Sequence, residues 1–128
     1  MYSKTLMVAS SIVLGAAGIA ALFAPAEILP LIGGPANPFL IILVQLLGTV
    51  YFGFAVMNWT AKDNAIGGIY SRPLCFGNFA HFGIGSLVLL RPAFHHPDVA
   101  VLIALVVYAV FAIAFGSLLF GQSPVAKS

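Results

Sequence analysis

Long apolar stretches alternate along the chain with short polar breaks marked by proline, glycine and the few charges. The first stretch covers residues 4–24 and stops at Pro25; the second covers residues 38–60. The third covers residues 73–90 and ends at Arg91-Pro92; the fourth covers residues 97–120 and is closed by Gly121 and Pro124. These spans hold 21, 23, 18 and 24 residues. As helices they would be about 27–36 Å long, matching a hydrocarbon core of ~30 Å. Strands are a poor alternative, because the apolar runs are continuous rather than alternating and exceed the ~10 residues of a membrane strand. In lipid the backbone must satisfy its own hydrogen bonds, so continuous apolar segments become helices. Proline stands at or near the start of the last three spans, where its missing N–H is not needed. Asn37 before Pro38 adds a capping side chain.

Composition turns this pattern into a class. Hydrophobic residues make up 62% of the 128 residues and charged residues 6%, against about 25% charged in an ordinary soluble domain. Mean hydropathy is +1.12. A soluble domain of this length leaves roughly a third of its unfolded area exposed, and so few charges cannot cover it. A soluble enzyme, a disordered regulator and a disulfide scaffold are excluded. The expected fold is all-α: one domain over residues 1–128, an up-down bundle of four transmembrane helices. Residues 4–24 also resemble a signal peptide, with Lys4, an apolar run and Ala24-Pro25-Ala26. The run is longer than a signal core and Pro25 suits a cleavage site badly, so the segment reads as a true helix.

Charge sets the threading. Lys4, Lys62, Arg72 and Lys127 fall on one side of a four-span bundle and Arg91 on the other, which by the positive-inside rule puts both termini in the cytoplasm. Trp59, Tyr70 and Tyr2 suit the same interface as amphipathic anchors. Five cations against three acids are too few and too scattered for nucleic-acid binding. Glycines and alanines in every span, among them Gly15, Gly18, Gly48, Gly53, Gly83, Gly85 and Gly116, provide close helix contacts, within the bundle or toward a partner or second copy.

Polar residues inside the spans carry the candidate chemistry. Counting along the helices puts Ser11, Gln45, Thr49, Asn78, His81 and Tyr108 within roughly 6 Å of one plane. An intramembrane ionisable residue is a functional hypothesis by default, and His81 is the one near mid-membrane. It can accept a proton or bind an apolar, quinone-like or lipid-like ligand. Its plain structural role is a hydrogen bond to Tyr108 or Gln45 across helices. A haem is disfavoured because no second histidine shares that depth, and no cofactor is expected.

A second group gathers at the cytoplasmic face: Asn58, Trp59, Lys62, Asp63, Gly67, Gly68, Tyr70 and Arg72. The Gly67-Gly68 amides with Arg72 could hold an anion such as a lipid phosphate, and the plain alternative is a turn in which Asp63 pairs with Lys62 or Arg72. On the outer side, Glu27, His95, His96 and Asp98 do not read as a metal site, since adjacent histidines point apart; Asp98 suits a helix start. Cys75 is the single cysteine and forms no internal disulfide.

The segments Gln45-Leu46-Leu47-Gly48, Tyr51-Phe52-Gly53-Phe54-Ala55 and Asn58-Trp59-Thr60-Ala61-Lys62 resemble small four-span bacterial membrane proteins of unassigned function. The run Ile66-Gly67-Gly68-Ile69-Tyr70-Ser71-Arg72-Pro73, with Asn78 and His81-Phe82, looks like part of the same pattern. The architecture is loosely similar to DoxX-like proteins, some linked to quinone-dependent electron transfer. The resemblance covers residues 45–90, implies a bacterial inner membrane and transfers no catalytic residue. The expected function is therefore non-enzymatic: binding a membrane partner or an apolar or lipid-like ligand at the polar layer. The alternative is a small transporter or quinone-linked redox accessory in which His81 exchanges protons.

Overall fold

The computed structural model of the chain describes residues 2–63 and 71–121. They are all-helical: α1 (Tyr2–Phe23), α2 (Pro25–Leu31), α3 (Pro38–Ala61), α4 (Ser71–His95) and α5 (Val99–Phe120). Helices α1, α3, α4 and α5 are long and apolar enough to cross a membrane. Large side chains on them stand bare, such as Phe23 at 83% and Ile113 at 74% exposed, as expected where the surrounding medium is itself apolar.

Helices α1 and α4 each start two residues earlier than the sequence reading, and three further boundaries differ for a local reason. Pro25 does not merely end the first span; it starts a separate seven-residue helix, α2. Proline is pre-shaped for a first turn, and Glu27 adds an acid there where the helix dipole favours one. This helix ends in a Schellman motif. Gly33 takes φ +82°, its N–H reaches the Pro30 carbonyl at 3.2 Å, and the Gly34 N–H reaches that of Leu29 at 2.8 Å. Such a φ is open to glycine and strained for other residues.

At the other end of the chain, Arg91-Pro92 does not terminate α4. The helix runs through Pro92 to His95, and the His96 N–H still reaches the Pro92 carbonyl at 2.9 Å. A proline removes one backbone bond, which a membrane helix tolerates. Finally, α5 begins at Val99 rather than Pro97, because Asp98 is its cap: the carboxylate accepts the Ala100 N–H at 3.1 Å. The start of α3 is as expected, with Asn37 Oδ1 accepting the Leu40 N–H at 2.9 Å and Pro38 in the first turn.

The chain divides into two compact units, one of residues 7–63 and one joining residues 1–6 to residues 64–128. In the first, α1 and α3 lie antiparallel and meet through small residues. A Cβ on Gly18 would stand 2.8 Å from the Phe52 nitrogen and 2.9 Å from the Gly48 carbonyl oxygen. One on Gly48 would stand 2.9 Å from the Gly18 carbonyl oxygen and 3.0 Å from the Ala21 Cβ. The two backbones therefore touch, the usual basis of helix association in lipid.

In the second unit α4 and α5 are antiparallel and meet through aromatic rings. Phe82, fully buried, stacks on Phe111 and Phe115 at 4.9 and 6.0 Å between centroids and meets Tyr108 edge-on at 5.2 Å. Tyr108, Phe111 and Phe115 recur at helical spacing and form one face of α5. Phe79 closes the far end, edge-on to Phe120 at 5.7 Å, its ring lying over Gly116. The start of α1 joins this unit through Tyr2. Its hydroxyl donates to the Ala114 carbonyl at 3.4 Å and lies 3.2 Å from Ser117 Oγ.

Candidate functional site

The candidate site is the polar pair on α4 and α5. His81 Nε2 and the Tyr108 hydroxyl share a hydrogen bond of 3.2 Å, with the imidazole tautomer deciding which group donates. Their ring centroids are 5.3 Å apart, and the His81 ring meets Phe82 edge-on at 5.0 Å. Both residues are half-buried. The local sequence explains the geometry. Gly85 lies one turn beyond His81, and a Cβ there would overlap the Tyr108 ring. The bare glycine lets that ring pack against α4, and its hydroxyl reaches His81 one turn back. Phe82, beside His81 in sequence, holds the same tyrosine from its edge. A phenol and an imidazole are thereby fixed side by side in a wall of aromatic carbon. Together they can donate and accept hydrogen bonds or pass a proton along the bond.

The other residues assigned to the polar layer take varied places. Asn78 belongs to the same unit as His81 and Tyr108. It is fully buried, and its Nδ2 donates to the Leu74 carbonyl at 3.0 Å on its own helix. Ser11, Gln45 and Thr49 belong to the other unit. Gln45 ties α3 to α1, its Nε2 donating to the Leu22 carbonyl at 3.1 Å. Thr49 is exposed, its hydroxyl donating back to the Leu46 carbonyl at 2.6 Å. Ser11 is buried, but the serine that bonds across helices is its neighbour. Ser10 Oγ accepts from Asn58 Nδ2 at 2.9 Å and donates to the Met7 carbonyl at 3.1 Å.

That bond moves Asn58 from the anticipated anion site into the α1–α3 interface, where it is fully buried. Its placement is legible in spacing. Gln45, Gly48, Ala55 and Asn58 stand 3, 7 and 3 residues apart, the rhythm of one helix face. Lys62 is engaged at the end of its own helix. Its ammonium lies 4.3 Å from the Trp59 ring centroid, donates to the Trp59 carbonyl at 3.3 Å and pairs with Asp63 at 3.8 Å. Arg72 is exposed near the start of α4. Gly67, Gly68 and Tyr70 lie outside the described residues.

Asp98 caps α5 and Glu27 stands in the first turn of α2. Among the described residues, no three His, Cys, Asp or Glu side chains converge as metal ligands. Cys75 is a buried free thiol. Compared with protein families, curated proteins and solved structures, the chain matches none.

Proposed function

We propose that the chain is a small, non-enzymatic integral membrane protein of a bacterial inner membrane, threaded with both termini in the cytoplasm. In this reading it acts by binding an apolar or lipid-like ligand, or a membrane partner, at the polar group formed by His81 and Tyr108. The supporting observation is their hydrogen bond across α4 and α5, far from either end of an apolar helix. A titratable ring at such a depth is costly and tends to mark a site. A polar pair set in aromatic surface suits an amphipathic molecule, whose carbonyl or hydroxyl meets the pair while its tail lies on the apolar helices.

The same bond supports a second reading, a quinone-linked redox accessory or small transporter, because a phenol and an imidazole in contact can relay a proton.

Equilibrium binding to the protein in nanodiscs tests the first reading, and proton flux separates it from the second. The probes are a decyl-substituted benzoquinone and a diacylglycerol of similar chain length. At least one should bind saturably. Tyr108→Phe should weaken it by about 3–10-fold, the loss of one hydrogen bond of ~1 kcal/mol. Gly85→Ala, which displaces the Tyr108 ring, should act in the same direction. The binding reading fails if neither probe binds or if both variants bind like the parent. Proton flux into dye-loaded vesicles that disappears in His81→Leu replaces it with the second reading.

A further inference from the structure

Beyond the His81–Tyr108 pair, one polar concavity is distinguished by its chemistry. Arg91, Pro92, His95 and His96 line an open groove at the end of α4, with a volume of about 550 Å³. Arg91 and His95 are four residues apart, so they share a face of the helix. They do so only because α4 continues through Pro92; a helix ending there would have left the histidines on a loop. Among the described residues no carboxylate pairs with Arg91. The nearest acid in sequence, Asp98, is engaged as the cap of α5. Phe94 and Val99, at 79% and 70% exposed, place bare apolar surface beside this polar patch.

From these observations we propose that the groove binds a phosphate oxyanion. The Arg91 guanidinium presents several donors in a planar fork that fits two phosphate oxygens. Each imidazole adds at least one ring N–H, even when neutral. The carbonyl end of α4 opposes an anion with about half a negative charge, which the full guanidinium charge outweighs. Exposed Phe94 and Val99 favour a phosphate carried on acyl chains, and inorganic phosphate shares the recognised chemistry.

The test uses the full chain in nanodiscs and in detergent. Native mass spectrometry compares retention of dioleoyl-phosphatidic acid with that of dioleoylglycerol, which has the same chains and no phosphate. Phosphorus NMR titration reports inorganic phosphate. Phosphatidic acid should be retained at least five-fold over the diacylglycerol. Arg91→Gln should remove that preference with an unchanged melting temperature, since the residue is exposed. The pair His95→Ala and His96→Ala should reduce it, and Arg72→Gln should leave it intact. Inorganic phosphate binding that is lost in Arg91→Gln also supports the site and assigns it to the free anion. Equal retention by Arg91→Gln and the parent, with no inorganic phosphate response, overturns the proposal. So does a lipid preference that tracks Arg72 instead.

Discussion

Asn58 and Ser10 show what a single polar contact does inside an apolar helix pair. The bond joins two buried side chains across the helices, and a buried donor that loses its acceptor costs about 1–3 kcal/mol. Removing both partners should therefore cost less than the sum of removing each. Asn58→Leu should lower stability through the lost cross-helix bond and a bulkier side chain. The double variant with Ser10→Ala should lose less than the two single variants added together, measured as SDS-induced unfolding in mixed micelles; a loss equal to that sum would mean the bond carries no coupling. At this scale the sequence is half legible. Helix position gives depth, which suffices for His81 and Tyr108. It does not give azimuth, and successive residues differ by 100° around the axis. Depth alone therefore favours Ser11 over Ser10 and sets Asn58 at the interface.

Helices are read from where they start and stop, and proline carries both meanings. In the sequence Pro25 and Pro92 look alike, each closing an apolar span. In the structure Pro25 opens α2, and Pro92 lies within α4. The residues downstream of each proline set the difference. After Pro25 come Glu27 and, eight residues on, Gly33, which together specify a short helix with an acidic first turn and a glycine cap. The cap itself is testable. Gly33→Ala forces a Cβ into left-handed backbone, at about 1–2 kcal/mol. The Gly34 amide, bonded to the Leu29 carbonyl, should then exchange its hydrogen roughly 5–30-fold faster. An unchanged rate would mean that this bond does not hold the end of α2. Elsewhere Asn37-Pro38 announces the start of α3 without ambiguity, because cap and proline agree.

For the whole molecule, the expected threading rests on few charges, and few charges make it easy to test. In a Cys75→Ala background, Lys4→Cys and Arg72→Cys should react with an impermeant maleimide only from the cytoplasmic side, and His96→Cys only from the opposite side. Labelling of Lys4→Cys and Arg72→Cys from different sides would mean an odd number of crossings between them. The four spans are plain from hydropathy alone, since membrane helices announce themselves by length. Tertiary contacts are less so. Glycine marks both places of contact and places of none: Gly18 and Gly48 are clamped by facing backbone, while Gly53 and Gly83 face open space, and nothing in their immediate neighbours distinguishes them.

The clamp at Gly18 and Gly48 bears on how this chain can change over time. Every missense change at a glycine codon installs a Cβ, so neither site offers a mild first step toward another residue. Drift in α1 and α3 must go around that crossing, and the distance between the two axes is held by the absence of a methyl group.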